Sequence, residues 1–284
     1  MKILLTGSKG QVGSALVPAL APLGELSAFD RASLDLLDSQ SIRNTIARVK
    51  PDIIVNAAAY TAVDRAEREE DAAFAVNFRA VKELAREAKA IDALLIHFST
   101  DYVFDGEKPA PYVEADAPNP LSVYGRSKLE GERAVAASGC RHFIFRTSWV
   151  YGPTGRNFLH AILAAATTKP ELRVVDDQRG APTSSAAIAG AVARILARPD
   201  LSSRASGLYH LSAGGETTWH GFATAILEAK GIKTPVTAIR SDEYPVAARR
   251  PKNSLLDNSR AAATFGIALP DWRDGLAAVM RAMH

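Results

Sequence analysis

The stretch KILLTGSKGQVG at residues 2–13 decides the fold of this 284-residue chain, because an apolar run leads into glycines spaced as GxxGxxG. Gly7 permits a tight turn, Gly10 lets the backbone approach a diphosphate, and Gly13 allows close contact between the next helix and the strand. The beginning of that helix offers backbone N–H groups to an anion. The stretch therefore predicts a dinucleotide-binding βαβ unit.

Short apolar runs alternate with longer amphipathic ones through the first half of the chain. The runs of strand character lie at 2–5, 25–29, 52–57, 93–98 and 141–147. The runs of helical character lie at 11–20, 39–49, 64–90 and 121–138. This alternation predicts an α/β fold, a Rossmann-type doubly wound parallel sheet with right-handed crossover helices.

Glycine and proline recur after residue 150, which predicts a smaller, loop-rich C-terminal lobe for the substrate. The Ala- and Ile-rich stretch 184–197 has the composition of a helix that packs back on the sheet. We therefore expect a dinucleotide-binding domain at 1–150 with a returning segment at about 173–200, and a substrate lobe at 151–172 and 201–284.

Charge and cysteine usage exclude several classes of protein. The chain has 34 Lys and Arg against 31 Asp and Glu, interleaved throughout, so no basic stripe predicts nucleic acid as a partner. The lone Cys140 cannot form an internal disulfide and has no partners at zinc-ligand spacing, which favours a reducing compartment. The apolar run at 3–5 is too short for a signal peptide or membrane helix. We expect a cytoplasmic protein without a membrane partner.

The second predicted strand ends in Asp30, 17 residues past Gly13, where an acidic side chain accepts hydrogen bonds from the adenosine ribose. That pattern favours NADH. The neighbouring Arg31 suits the 2′-phosphate of NADPH, because a guanidinium matches phosphate geometry. Asp35 and Leu36 are placed to flank the adenine. We favour NADPH, and NADH stays open.

A candidate proton-transfer pair follows from Tyr124 and Lys128, which lie four residues apart and therefore on one face of the helix at 121–138. An adjacent ammonium is expected to lower the pKa of the phenol from its reference value of about 10. Thr100 follows the strand at 93–98, at the sheet edge where open α/β folds bind ligands. Its hydroxyl can donate a hydrogen bond to a substrate carbonyl.

These residues belong to a set of motifs that resembles the dTDP-4-dehydrorhamnose reductases of the extended short-chain dehydrogenase/reductase superfamily. The resemblance covers nearly the whole chain. Its motifs are GxxGQVG at 7–13, NAAAYTAVDRAE at 56–67, FSTDYVFDG at 98–106, PLSVYGRSKLEGE at 120–132, FRTSWVYG at 145–152, GAPT at 180–183, GLYHL at 207–211 and RRPKNSLLD at 249–257.

The resemblance implies NAD(P)H-dependent reduction of the 4-keto group of dTDP-4-dehydro-L-rhamnose to dTDP-L-rhamnose. It implies that Tyr124 protonates the oxygen at carbon 4 of the sugar, while Lys128 assists and holds the cofactor. Thr100 and Asp101 would contact the sugar, with Trp149 packed nearby. The residues implied to line the cofactor are Gly10, Gln11, Val12, Asp30, Asp35, Leu36, Ala59, Tyr60, Thr61 and Phe98.

The C-terminal lobe of such an enzyme must recognise a nucleotide diphosphate, and its densest basic segment is at 249–253. We expect Arg249, Arg250 and Asn253 to contact the substrate there. Some relatives form a dimer around a divalent cation held by glutamates. Neutral residues stand at the corresponding positions of this chain, Ser14, Ala15, Ser184, Ser185, Ala186 and Ala282. We therefore expect no such metal site, and a monomer.

The dipeptide after Thr100 separates reduction from dehydration. Related dehydratases have Asp-Glu there, since elimination of water needs an extra carboxylate, whereas this chain has Asp101 and Tyr102. Two other functions stay open. One is reduction of a different 4-keto-6-deoxy nucleotide sugar, and the other is a non-catalytic role like that of the regulatory subunit of methionine adenosyltransferase, which also resembles these reductases.

Overall fold

Twelve strands are present in the computed structural model, which describes residues 1–201 and 206–283. They are β1 (Lys2–Thr6), β2 (Glu25–Phe29), β3 (Ile53–Asn56), β4 (Leu94–Thr100), β5 (His142–Thr147), β6 (Val150–Tyr151), β7 (Leu172–Val175), β8 (Arg179–Gly180), β9 (Thr183–Ser184), β10 (Gly207–His210), β11 (Thr217–Thr218) and β12 (Val236–Ile239). Residues 202–205 and 284 of the predicted substrate lobe lie outside the described residues.

The α-helices of the described residues alternate with these strands. They are α1 (Gln11–Leu20), α2 (Ser39–Val49), α3 (Val63–Ala66), α4 (Glu70–Phe74), α5 (Ala80–Ala90), α6 (Val123–Ala137), α7 (Phe158–Ala166), α8 (Ser185–Leu196), α9 (Trp219–Ala229), α10 (Ser259–Phe265) and α11 (Trp272–Ala282). Within residues 1–201 and 206–283, no helix has the length and apolar character needed to cross a membrane.

The central sheet has six strands in the order β2, β1, β3, β4, β5, β10, and every neighbouring pair is parallel. The predicted doubly wound parallel sheet is confirmed. Its inner strands are buried on both faces, because helices cover both. On one face Leu16 of α1 and Ile188 of α8 share a hydrophobic cluster with the sheet. On the other, Ile46 of α2 packs near Leu84 of α5.

The switch point of the sheet lies between β1 and β3, because the chain runs outward to β2 and then returns past β1. Crevices at such points, outside the carboxyl ends of the strands, are where open α/β sheets bind ligands. Thr6 and Asn56 end the two strands, and the Thr6 hydroxyl donates to Oδ1 of Asn56 at 2.6 Å. This buried bond fixes the two strand ends that flank the crevice.

A second hydrophobic cluster forms what we call the second lobe, built from α7, α9 and α11 with the small sheet of β7 and β12. Leu159 of α7, Phe222 of α9 and Trp272 of α11 lie in this cluster. Strand β7 pairs in parallel with β12 and contributes Leu172 and Val174 to it. The segment predicted to return to the sheet at about 173–200 therefore begins within a strand of the second lobe, whereas its helix α8 packs on α1 and the sheet.

The predicted single helix at 64–90 is wrong, because the chain divides there into α3, α4 and α5 with a π-helical turn at Ala75–Arg79. The turn contains the buried Asn77, whose side chain accepts from the N–H of Tyr60 and donates to its carbonyl, at 2.9 and 3.0 Å. A polar side chain that holds the loop after β3 thus interrupts the helical pattern. Strand β10 was also not predicted.

Candidate active site

A cavity of about 800 Å³ opens at the carboxyl ends of the central strands and reaches from the glycine loop to the beginning of α6. The loops after β1, β2 and β3 and the end of β4 contribute to its wall. The predicted residues that line it are Gly7, Gly10, Gln11, Val12, Asp30, Arg31, Asp35, Leu36, Ala59, Tyr60, Thr61, Phe98, Thr100, Asp101, Tyr124, Lys128 and Trp149. Those that do not are Gly13, Arg249, Arg250 and Asn253.

The glycine loop has the backbone geometry that a bound diphosphate requires. Gly7 has a φ of +70°, and a Cβ there would lie 2.6 Å from the amide nitrogen of Ala58. Gly13 is not in the cavity wall, but a Cβ on it would lie 2.0 Å from the carbonyl oxygen of Gly7. Within the described part of the chain no side chain caps α1, so its first N–H groups are left for a ligand. The loop therefore fits a dinucleotide.

Asp30 is already engaged by protein groups. Its Oδ1 accepts from the N–H groups of Ala32 and Ser33 at 3.1 and 3.0 Å, and its Oδ2 forms an ion pair with Lys9. The hydrogen bonds from Lys9 and Ser33 hold the pKa of Asp30 well below its usual value. Sequence reasoning missed Lys9, although it lies inside the glycine motif. The wall at this end of the cavity contains Lys9 and Arg31 as well as Asp30 and Asp35, so the two cations balance the two carboxylates and the Arg31 guanidinium is placed to meet a phosphate.

The reactive side chains meet where α6 packs against the end of β4. Helix α6 begins after Ser122, whose hydroxyl accepts from the N–H of Gly125 at 3.1 Å. This start puts Tyr124 in its first turn and Lys128 one turn later. The Thr100 side chain lies close enough to Tyr124 to lower the pKa of the phenol. Lys128 is 2% exposed, and its ammonium donates to the carbonyl oxygen of Phe98 at 2.6 Å.

The pKa of Tyr124 differs from the expectation. Burial raises it to about 12, and the nearby Thr100 side chain only partly offsets this effect. The expected lowering by Lys128 was wrong for this state, because the ammonium is directed at the carbonyl oxygen of Phe98. Burial also lowers the pKa of Lys128 to about 8, against the opposing charge of Glu132. Tyr124 is therefore a protonated phenol at neutral pH, the form that a proton donor needs.

Two further acidic residues, Asp101 and Glu132, are buried near the side chains of Tyr124, Thr100 and Lys128. Asp101 is 2% exposed, and burial raises its pKa to about 6 although Thr100 donates to its Oδ1 at 3.1 Å. Glu132 forms a buried, two-bond ion pair with Arg146 of β5, at 2.8 and 2.6 Å. The sequence reasoning did not single out this pair. The sequence signal that could have indicated this pair is the occurrence of a charged residue in an otherwise apolar strand, Arg146, and of another on an apolar helix face, Glu132.

Trp149 lies in the wall of the cavity, with its indole packed closely against two neighbours. It stacks on Trp219 with 3.6 Å between ring centres, and a Cβ on Gly180 would lie 2.5 Å from its ring. Its φ of +48° is rare for a bulky residue, so this packing holds a strained backbone. Trp219 also lines the cavity and was missed by the sequence analysis, since it lies in the second lobe.

The residues of the basic segment at 249–253 do not line the cavity themselves, although Arg250 lies next to Tyr102 of its wall. The predicted substrate contact is corrected for Asn253 and Arg250, whose side chains are used within the protein, and stays a prediction for Arg249. The Nδ2 of Asn253 donates to the carbonyl oxygens of Lys108 and Ala110, at 2.7 and 2.9 Å. The guanidinium of Arg250 holds both carboxylate oxygens of Asp64, at 3.1 and 2.7 Å. Arg249 is exposed. Asn253 and Arg250 are thus used to attach the segment to the first domain, a role that spacing alone does not reveal.

Groups of three or more His, Cys, Asp or Glu side chains that could hold a metal ion are not found in the part of the chain that the structure describes. Of the positions compared for the dimer-linking cation, Ser184 uses its hydroxyl to cap α8 by accepting from the N–H of Ala187 at 3.2 Å. The absence of a metal site stays a prediction.

Comparison with known proteins gives the chain its relatives. A family model described as the RmlD substrate binding domain matches residues 1–284. The dTDP-4-dehydrorhamnose reductase of Burkholderia thailandensis is 45% identical over 285 residues, which are 96% of this chain and 96% of that protein.

Two solved structures agree with this match. The dTDP-4-dehydrorhamnose reductase of Bacillus anthracis in complex with NADP has a TM-score of 0.94 and 33% identity, over 99% of this chain and 100% of that one. A dTDP-4-dehydrorhamnose reductase from Clostridium acetobutylicum has a TM-score of 0.95 and 36% identity, over 100% of this chain and 99% of that one. The chain belongs to the RmlD substrate binding domain family, together with these dTDP-4-dehydrorhamnose reductases.

Proposed function

We propose that this protein reduces the 4-keto group of dTDP-4-dehydro-L-rhamnose to give dTDP-L-rhamnose, with NADPH as the main cofactor and NADH as an alternative. The observation that carries the proposal is that Tyr124, Lys128 and Thr100 lie in one cavity with the glycine loop. Relatives at 45% identity with the name dTDP-4-dehydrorhamnose reductase support the substrate, and a structural relative in complex with NADP supports the cofactor.

The chain's own residues supply the proton of the reaction. Tyr124 gives its phenolic proton to the oxygen at carbon 4, because its raised pKa keeps it protonated at neutral pH. Thr100 donates a hydrogen bond to the same oxygen, and Asp101 contacts the sugar. The ammonium of Lys128 stabilises the phenolate that remains until Tyr124 takes up a proton from solvent. The nicotinamide, when bound, supplies the hydride to carbon 4.

The cofactor is held along the wall that begins at the glycine loop. Gly7, Gly10 and Gly13 let the backbone approach the diphosphate, and Gln11 and Val12 offer N–H groups at the beginning of α1. Arg31 takes the 2′-phosphate of NADPH beside Asp30, whose charge Lys9 offsets. The remaining predicted contacts to the cofactor are Asp35, Leu36, Ala59, Tyr60, Thr61 and Phe98.

The substrate lobe, the monomer and the cytoplasmic location are part of the same proposal. Trp149 and the second lobe form the substrate side of the cavity. The second hydrophobic cluster begins at Tyr151, which supports a division at about residue 150, but β10 and Phe265, from the predicted lobe at 201–284, pack with the central sheet. Arg249 and Lys252, which are exposed, are the cations of this segment still available to a substrate diphosphate. A monomer is proposed because Ser14, Ser184 and Ala282 stand where relatives use glutamates.

The decisive experiment is incubation with dTDP-4-dehydro-L-rhamnose and NADPH, with the product identified by NMR. Tyr124→Phe is expected to lower kcat by about 10²–10⁴-fold, the usual contribution of a general acid, while NADPH binding is kept. Tyr102→Phe is the matched control, because this second tyrosine packs against Tyr124 with ring centres 5.6 Å apart and is assigned no proton transfer.

Each rival function has its own outcome in this experiment. A product of the opposite configuration at carbon 4 would indicate a reductase of another 4-keto-6-deoxy nucleotide sugar. NADPH binding without turnover would indicate the non-catalytic subunit. Incubation with dTDP-glucose is expected to give no 4-keto-6-deoxy product, because Tyr102 stands where the dehydratases have glutamate.

A further inference from the structure

Some cationic side chains in the wall of the cavity form hydrogen bonds or ion pairs within the described part of the protein, and others do not. The cations among the described lining residues are Lys9, Arg31, Arg65, Lys128 and Arg156. Lys9 forms an ion pair with Asp30, and Arg65 holds Glu69 at 2.8 Å. The ammonium of Lys128 donates to a backbone carbonyl. These cations are therefore partly neutralised or occupied before any ligand arrives.

Arg31 and Arg156 are the two lining cations whose side chains have no hydrogen bond or ion pair with another described residue. Arg31 is the second residue after β2, next to Asp30, at the end of the cavity assigned to the adenosine. Arg156 lies in the loop between β6 and α7 and is exposed. A guanidinium in a cavity wall without a protein partner is free to bind an anion through paired N–H groups.

The backbone around Arg156 is attached to the glycine loop by Gln11. The side-chain amide of Gln11 donates to the carbonyl oxygen of Arg156 at 3.1 Å. The amide of Asn157 donates to Oε1 of Gln11, also at 3.1 Å. Because Gln11 is the first residue of α1, these bonds hold Arg156 beside the place where the cofactor's diphosphate would lie.

We infer that Arg156 binds the diphosphate of the dinucleotide cofactor, an inference that rests on the proposed function. NADPH carries phosphate at two separate places, the diphosphate bridge and the adenosine 2′-position. The cavity has one uncommitted guanidinium near each, with Arg156 at the glycine loop and Arg31 at the end of β2. The diphosphate is thus bound by backbone N–H groups of the first domain together with a side chain from the loop that leads to the second lobe.

The test compares two fragments of the cofactor that each carry one kind of phosphate. Adenosine 5′-diphosphate and adenosine 2′-monophosphate are titrated separately against enzyme with bound NADPH, and displacement is followed by NADPH fluorescence. Arg156→Ala is expected to weaken the binding of adenosine 5′-diphosphate by about tenfold, the effect of losing one charged hydrogen bond. The binding of adenosine 2′-monophosphate should weaken by less than about twofold. Arg31→Ala is expected to show the reverse pattern.

Arg48→Ala is the matched control, since Arg48 is an exposed arginine of α2 outside the cavity, and it should change neither affinity. Equal affinities of wild type and Arg156→Ala for the 5′-diphosphate would overturn the inference. The inference would also be overturned if Arg156→Ala weakened only the binding of dTDP, because Arg156 would then bind the substrate and not the cofactor. Failure of the wild-type protein to bind NADPH at all would instead overturn the proposed function.

Discussion

Asp101 shows how burial of one carboxyl group changes the pH dependence of stability. Its pKa is raised by burial to about 6 from an ordinary value of 3.8, so in the range between them the native protein holds a proton that the unfolded chain has lost. The free energy of unfolding therefore has its full contribution from Asp101 below pH 3.8 and loses it as the pH rises through 6. The loss is about 3 kcal/mol for a shift of this size.

Asp101→Asn is expected to remove that loss, because an amide does not ionise. Urea unfolding at pH 4 and pH 7 should show that the variant gains stability relative to wild type on going to the higher pH, by up to about 3 kcal/mol. Asp105→Asn is the control, since hydrogen bonds from the backbone of Glu107 and from Tyr112 lower the pKa of Asp105, so that its ionisation affects stability below about pH 4 and the change between pH 4 and pH 7 should stay close to that of wild type. An unchanged pH dependence in Asp101→Asn would contradict the prediction.

The side chain of Asn157 both caps α7 and attaches the beginning of this helix to the glycine loop. Oδ1 of Asn157 accepts from the N–H of His160 at 3.1 Å and caps the helix. Its Nδ2 donates to Oε1 of Gln11 and to the carbonyl oxygen of Gly152, at 3.1 and 2.9 Å. The helix cap and the attachment to the glycine loop are therefore coupled, and a serine at this position would separate them because it keeps only the cap.

Asn157→Ala is expected to lower the free energy of unfolding by about 0.5–2 kcal/mol, and Asn157→Ser by much less, since serine is a good N-cap. Both variants lose the bond to Gln11, so both are expected to weaken NADPH binding by a similar factor. Urea unfolding and fluorescence titration measure the two effects. Equal destabilisation by serine and alanine would show that the cap is not the source of stability, and unchanged NADPH affinity would show that the bond to Gln11 is dispensable.

At the scale of the molecule, the segment at 249–257 joins the chain of the second lobe to the first domain. The N–H of Tyr112 donates to the carbonyl oxygen of Leu255, and the N–H of Asp257 donates to the carbonyl oxygen of Tyr112, both at 2.8 Å. The ion pair between Arg250 and Asp64 adds a side-chain link to α3, which also contributes to the cavity wall. Loss of this link is therefore expected to affect both stability and the cavity.

Arg250→Ala and Asp64→Ala are expected to lower the free energy of unfolding by similar amounts, about 1 kcal/mol for a partly exposed pair. The double variant should lose no more than either single variant, because the two residues act as one unit. Arg249→Ala, next to Arg250 but exposed and outside this pair, is the control for stability. A large rise in the substrate KM for Arg250→Ala but not for Asp64→Ala would show that Arg250 binds the substrate diphosphate. That result would contradict the assignment of Arg250 to the ion pair with Asp64.

Prediction from sequence succeeded where short-range patterns carry the signal. The glycine loop, the alternation of strands and helices, and the pairing of Tyr124 with Lys128 depend on residues close together in the chain. It failed at Asn77, which interrupts a helical pattern in order to bind the loop at Tyr60. It also misassigned Asn253, because an amide that binds backbone carbonyls has the same sequence signature as one that binds a ligand.

The sequence by itself determined the doubly wound fold, the family, and the cavity wall that runs from the glycine loop to Tyr124, because each rests on local patterns or contiguous motifs. Only the tertiary structure decided which charged groups are free. Arg250 is held by Asp64, 186 positions away, and Arg156, near Gln11, has no side-chain partner among the residues that the structure describes. Whether a charge is neutralised depends on contacts across the fold, and spacing along the chain does not contain that information.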